Sequence, residues 1–442
     1  MLVDKLTVSG NQRTKSFVLL REVPFKIGDS IKVAEIESLK KEAIRNITNT
    51  GLTNFVEVEF ITSDSLTTQC AIKVLERWHI WPNILFSLAE TNINSWWENK
   101  DFERVNYGFS IDDYNFRGRK EKLSINFQNG WKRKIGLNYN IPGLNKSRTL
   151  GGGLELYYAN NREVNHQIKF DTEEFNRRDF LKTKRFIQEE IVTKIKLEYR
   201  PKYLNTHRWT VGMETIIIDD TVKLVNPNYL ANGNTRSQFL YLGYGFRREM
   251  RDNRAYPLSG YIIDGSLDQS GLGILNKNDV KLTEAKITIN MHHPIQGRWF
   301  FGHGLKAKTT LLGKPPYYFQ RGLGYGNNYI RGYELYVIDG QHFLLYKSNL
   351  KFQVIRKQTI DLQTLFQRFD KFHYSLYVNV FGDAGYVIDQ INAAVNPLAN
   401  TMQYAYGIGI DFVSYYDFVL RLEGSINALG QPGFYINFRN PI

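Results

Sequence analysis

The side chains here that could do chemistry are arranged to hold something, not to turn a substrate over. The eight histidines show no metal-ligand spacing, and His292 and His293, being adjacent, fall on opposite faces of any strand. No nucleophile elbow is present. The single cysteine, Cys70, precedes the alternating run Ala71-Ile72-Lys73-Val74 and reads as a buried structural thiol. An enzyme is therefore not expected, nor a metal, nor a cofactor. Two short runs remain. One is Ile330-Arg331-Gly332-Tyr333, inside the stretch YFQRGLGYGNNYIRGYE; the other is Phe381-Gly382-Asp383-Ala384-Gly385. Their glycines allow backbone turns that other residues resist. Without a strand–loop–helix context they do not form a nucleotide loop. An arginine taken out of water needs acceptors in a fixed geometry, or its desolvation goes uncompensated.

What must position these runs is a long succession of strands. In Gln403–Val413, Tyr404, Tyr406, Ile408, Ile410 and Phe412 share one face, and Ala405, Gly407, Gly409 and Asp411 the other. Phe418, Leu420 and Leu422 alternate with Val419, Arg421 and Glu423; Phe434, Ile436 and Phe438 alternate with Tyr435 and Asn437. One apolar face and one small or polar face is the pattern of lipid outside and lumen inside. A soluble sandwich also alternates, but its polar face carries more charge and fewer glycines. By the same parity Leu376, Val378 and Val380 face outward, so Tyr377, Asn379, Phe381 and Asp383 face the lumen. Seventeen strand-like runs follow Ile84. A bacterial single-chain barrel takes an even number. The weakest run, Val164–Phe170, precedes the polar stretch DTEEFNRRDFLKTKR and is assigned to a long extracellular loop, leaving sixteen.

Composition fits this reading. The 27 Tyr and 28 Phe suit interfacial girdles. No run approaches the ~18 apolar residues of a membrane-spanning helix, which leaves a barrel open. The formal charge is +13, yet the basic residues are interleaved singly, with no block and no nucleic-acid motif. They are assigned to the lumen and loops, and no nucleic-acid partner is expected.

Residues 1–80 follow a different grammar, β-α-α-β-β. Leu2–Ser9 alternates as a strand; Thr14 is expected to cap a helix through Glu22; Asp29 or Ser30 caps a second, Ile31–Asn49, stopped by Gly51. Phe55–Ile61 and Gln69–Leu75 alternate as strands. His79-Ile80-Trp81-Pro82-Asn83 reads as a hinge, since the proline cannot donate to a ladder. The opening Met1-Leu2-Val3-Asp4-Lys5 carries no signal-peptide pattern, so any export signal is expected to have been removed.

With TVSGNQRTKSFVLLREVPFKIGD at its start and GLTNFVEVEF after its second helix, the first segment resembles a POTRA domain. Such modules stand before barrels of the BamA/TamA outer-membrane assembly family. Three barrel patterns carry the same resemblance. Arg251–Gly260 (RDNRAYPLSG) is similar to a short periplasmic turn; Ile330–Tyr333 matches the (V/I)-R-G-(F/Y) motif of the sixth extracellular loop; Phe381–Gly385 looks like the F-x-D-x-G motif of the thirteenth strand. The resemblance implies a loop, near 313–340, folded into the lumen. Its anchor comprises Arg331, Gly332 and Tyr333, with Asp383 accepting from Arg331. One departure stands out. Where some relatives carry a second acidic anchor, this chain has Leu350-Lys351-Phe352, and Lys351 cannot accept; Glu423 is another acceptor to consider.

The family reading gives a sixteen-stranded antiparallel barrel over 84–442 behind one periplasmic α+β POTRA domain. It implies an outer-membrane assembly or insertion factor that templates client strands across a gate between Ile84–Glu90 and Gly433–Phe438 (Ile84 and Phe86 against Phe434, Ile436 and Phe438). The alternatives are a translocation pore for a dedicated partner, as in two-partner secretion transporters, and a docking subunit of an envelope complex. Expected partners are outer-membrane lipid and lipopolysaccharide, periplasmic or outer-membrane client proteins, and accessory subunits.

Overall fold

The computed structural model describes residues 1–62, 66–88, 105–169, 177–275, 279–362, 371–414, 416–438 and 442. The first segment is a three-stranded sheet, ordered β1 (Leu2–Ser9), β3 (Thr67–Glu76), β2 (Thr53–Thr62), with β1 parallel and β2 antiparallel to the central strand. Helices α1 (Ser16–Leu20) and α2 (Ile36–Thr48) cover one face. Leu19, Ala43 and Ile47 bury against Val3, Val58, Cys70, Ile72 and Val74. Burial raises the Cys70 thiol to about 11, so it stays protonated and inert.

Both helix starts differ from expectation. The Thr14 amide donates to Glu76 Oε1 at 2.6 Å and its hydroxyl accepts from Asn115 of the barrel at 2.9 Å, so Thr14 links the domain to the barrel and α1 begins at Ser16. Asp29 closes a local turn by accepting from the Lys26 amide at 2.8 Å, and a short 3-10 turn (Val33–Glu35) precedes α2. Gly51 ends that helix region in the left-handed conformation, φ +73°.

The barrel begins at β4 (Ile80–Leu88), β5 (Val105–Phe116), β6 (Glu121–Gly130), β7 (Lys132–Ile141) and β8 (Leu150–Asn161). After β9 (Glu163–Lys169) and β10 (Arg177–Lys182) come β11 (Gln188–Tyr199), β12 (Asn205–Ile218), β13 (Arg236–Glu249) and β14 (Gly260–Ser270). It continues with β15 (Leu282–Pro294), β16 (Trp299–Leu312), β17 (His342–Asp361) and β18 (Lys371–Ile388), and ends with β19 (Met402–Ser414), β20 (Val419–Asn427) and β21 (Pro432–Asn437). Sixteen of these form one antiparallel sheet in sequence order from β4 to β21. Across the two ends of that order, Arg77, just before β4, ion-pairs with Asp417 in the β19–β20 turn. Among the described residues β9 and β10 pair with each other and with no strand of the sixteen, so the run read as a loop is a hairpin and the barrel keeps sixteen strands; Phe170 lies outside the described residues.

The expected hinge is not separate from the barrel. Ile80 pairs with Asp113 and Pro82 with Ile111, so β4 starts inside it. An edge strand tolerates a proline because one side of its backbone needs no ladder donor.

Side-chain alternation divides the wall as lipid and lumen require. Ile84, Phe86, Ile195, Val211 and Ile408 are exposed outside. Inside, charges pair across strands: Lys196 with Glu155 and Lys194 with Glu214, each at 2.6 Å, and Arg208 with Glu198 at 2.8 Å. No helix among the described residues is long and apolar enough to cross a membrane. At the end away from the POTRA domain, α3 (Asp220–Val225) and loop residues pack an apolar cap around Val164, Ile187, Ile216, Val222, Leu230 and Phe239.

Candidate functional site: an anchored loop and an open seam

The loop between β16 and β17 turns inward. Leu323, Ile330, Tyr333 and Ile338 bury against Phe343, Leu345, Val387 and Ala405 of the wall. The motif glycines are explained by approach and conformation. Gly332 sits at φ +91°, where an added Cβ would lie 3.1 Å from Ala405 and Ser425 side chains. A Cβ on Gly385 would meet Leu323 and Ile330 at 2.7 and 2.8 Å, so β18 is bare where the loop lands.

Arg331 is fully buried. Its Nε donates to Asp383 Oδ2 at 2.9 Å, and its Nη2 to Asp383 Oδ1 at 2.5 Å and to the Ser348 carbonyl at 2.9 Å. Its amide adds a bond to Asp383 Oδ2 at 3.1 Å, and its Nη1 reaches Glu423 at 3.4 Å. The guanidinium lies 3.9 Å from the Phe381 ring centroid. Desolvation is thus offset by two carboxylates, a carbonyl and an aromatic face. Tyr333 donates to Gln403 at 2.9 Å, and the Gly332 carbonyl accepts from Asn427 at 3.1 Å. Glu423 also accepts from Arg421 and, at 3.0 Å, from Asn437 of the last strand. The Ser348 carbonyl and the Phe381 face were not read from the sequence as parts of the anchor, although parity already turned Phe381 inward.

The register separates the two lysines. Lys347, not Lys351, stands opposite Asp383, with its Nζ 3.9 Å from the carboxylate and 4.2 Å from the Tyr329 ring centroid. Lys351 stands opposite Asn379, over the Tyr256 ring at 4.0 Å; Tyr256 in turn donates to Asp411 at 2.6 Å. Tyr256 belongs to the RDNRAYPLSG turn between β13 and β14, where the Asp252 carboxylate accepts from the Leu258 and Ser259 amides at 3.0 and 3.2 Å.

At the seam, β4 pairs with β5 and β21 with β20, and among the described residues no ladder joins β4 to β21. Ile84 and Phe86 on one side, and Phe434, Ile436 and Phe438 on the other, are exposed. Ala89, Glu90 and Pro441 lie outside the described residues.

Beneath the barrel, the POTRA domain meets five turns. Lys15 donates to the Gly118 carbonyl, Arg21 to that of Pro142, Glu22 pairs with Arg200, Asn49 donates to the Arg251 carbonyl, and Arg77 pairs with Asp417. Glu22 takes both Arg200 nitrogens, at 2.7 and 2.8 Å. Burial alone would raise its carboxyl, but Lys120 and Arg200 hold it down at about 2. Burial lowers the Lys120 ammonium to about 7 against the attraction of Glu22.

Comparison with known proteins places this geometry. A family model described as "POTRA: Surface antigen variable number repeat" matches residues 2–77. BamA from Haemophilus ducreyi, in a crystal structure lacking POTRA domains 1-3, aligns with a TM-score of 0.51 at 15% identity, over 99% of this chain and 83% of that one. CdiB from Escherichia coli aligns with a TM-score of 0.58 at 9% identity, over 98% and 75%. Among curated proteins no sequence match is found. The chain therefore carries a POTRA domain joined to a sixteen-stranded barrel, the fold seen in BamA and CdiB.

Proposed function

We propose that this chain is a non-enzymatic outer-membrane factor that assembles or inserts other barrel proteins, offering an incoming strand the edge between β4 and β21. The observation that carries this reading is the unladdered seam in an otherwise continuous sheet. Such an edge presents unpaired backbone N–H and C=O groups, which template another strand. β21 has only six residues and starts at Pro432, which limits pairing with β4. The anchor also reaches the seam, since Glu423 holds both Arg331 and Asn437. Clients are barrel proteins arriving from the periplasm, with accessory subunits, membrane lipid and lipopolysaccharide as surroundings.

A translocation pore for a dedicated partner is the second reading. Against it stand the loop packed in the lumen and the POTRA domain seated on five barrel turns. The test is a reversible tether. A disulfide tying β4 to β21, in a Cys70→Ala background, should abolish insertion of a client barrel into proteoliposomes when oxidised, and reduction should restore it. Full insertion in the oxidised form would sink the seam reading in favour of a pore or docking subunit.

A further inference from the structure

Where two strands share no ladder, something other than backbone pairing must hold them, and one set of contacts crosses the seam at the POTRA end. Arg77 follows β3 and precedes β4. Its amide donates to the Leu52 carbonyl at 2.9 Å and its Nε to the Thr53 carbonyl at 3.0 Å, both in the POTRA domain. Its two remaining nitrogens take Asp417 Oδ2 and Oδ1 at 2.6 and 3.1 Å. Asp417 lies in the β19–β20 turn, beside the strand that pairs with β21. The Trp78 amide donates to the Tyr416 hydroxyl at 3.0 Å, and Trp81 of β4 meets the Tyr416 ring edge-on at 5.5 Å. A bidentate arginine–carboxylate pair with its guanidinium largely buried is a strong, directional tie.

The turn that receives these contacts is strained. Tyr416 and Asp417 have φ of 58° and 61°, two successive non-glycine residues in the left-handed region. Such backbone persists where its surroundings over-determine it, and here the Arg77–Trp81 segment engages both side chains.

We propose that Arg77, Tyr416 and Asp417 form a clasp that closes the seam at its periplasmic end and ties the seam's width to the seating of the POTRA domain. When the domain lifts from the barrel turns, Arg77 is drawn away with Leu52 and Thr53, and β4 parts from the β19–β20 turn. The proposal rests on the seam reading only for what the opening serves; the clasp itself is read as a distance.

The test places spin labels at Ile84→Cys and Ile436→Cys, in a Cys70→Ala background, in lipid vesicles, and measures their separation by pulsed electron resonance. The parent should give one narrow distribution. Arg77→Ala and Asp417→Asn should each broaden it and shift it to longer distance. Asparagine tolerates the left-handed conformation, so the second variant removes the charge and keeps the turn. Heat-modifiable migration in gels checks that each barrel is folded. Glu22→Gln with Arg200→Ala, far from the seam, should broaden the same distribution. An unchanged distribution in both clasp variants overturns the clasp; broadening there, but none with Glu22→Gln and Arg200→Ala, overturns its coupling to seating. Loss of client insertion bears on the seam reading and leaves these distances as they are.

Discussion

At the residue scale, the question is what a fully buried guanidinium costs when its partner goes. Asp383 accepts three bonds from Arg331, so removing either side chain leaves the other charge in the wall with fewer contacts. Breaking such a pair costs on the order of 3–5 kcal/mol locally. The many ladders of the barrel should keep the whole molecule folded. Arg331→Ala and Asp383→Ala are therefore expected to free the loop, read as faster protease nicking between Gly313 and Gly340. The double variant should be little worse than either single, because the coupling is lost once; strictly additive effects would show that the two do not act as a pair. The register adds a sharper contrast. Lys347→Glu would bring a carboxylate beside Asp383 and should loosen the loop, whereas Lys351→Glu, over Tyr256, should leave its nicking rate unchanged.

At the element scale, parity reads well from sequence because the side-chain period of a strand is local. It turns Tyr377, Asn379, Phe381 and Asp383 to the lumen without knowledge of any partner strand. It could not say which residue faces Asp383, because that depends on how β17 and β18 slide against each other, and the lysine beside the anchor is accordingly Lys347. The hairpin β9–β10 stands apart from the sixteen-stranded sheet among the described residues, so the lipid-and-lumen alternation of the wall is not imposed on it. The helix starts moved because Thr14 and Asp29 found partners outside the caps, in Glu76, Asn115 and the Lys26 amide. Pro82 read as a break because its missing donor counts against a strand, and only the position of β4 at the sheet's edge removes that objection. Element contact also explains Gly385, where β18 meets the loop. Gly385→Val should force Leu323 and Ile330 away and destabilise the loop by about 1–3 kcal/mol, as overpacking does. Hydrogen exchange across 313–340 would report it as lost protection; unchanged protection would mean that the wall yields instead.

At the scale of the whole molecule, ion pairs contribute to the contact between the two domains, and that makes the seating a function of pH. Glu22 faces Arg200, Lys120 and Arg21, while Tyr203 of the β11–β12 turn donates to Glu42 of α2 at 2.5 Å. Arg254 and Glu249 stand at the edge of the same cluster. With its carboxyl held at about 2 when seated and at the ordinary 4.5 when free, Glu22 binds a proton more readily in the lifted state. Its contribution, on the order of 3 kcal/mol, is complete above pH 4.5 and is lost as pH falls towards 2. Lys120 acts in another window. Its ammonium is pushed down to about 7 when seated against 10.5 when free, so its burial penalises seating below pH 7 and that penalty fades as pH rises towards 10.5. Seating should therefore weaken in acid and tighten in mild alkali. Glu22→Gln should reproduce the acid effect at pH 7. Amide exchange in the β5–β6 and β11–β12 turns, which the seated domain covers, is the measurement: it should rise between pH 4.5 and 2 after correction for intrinsic rates, and rise at pH 7 in Glu22→Gln. Lys120→Met should remove the gain between pH 7 and 10.5 and should also narrow the acid limb, since Arg200 and Arg21 are then left to hold the Glu22 carboxyl down. Flat protection across both windows would mean that apolar contact, not this charge cluster, seats the POTRA domain.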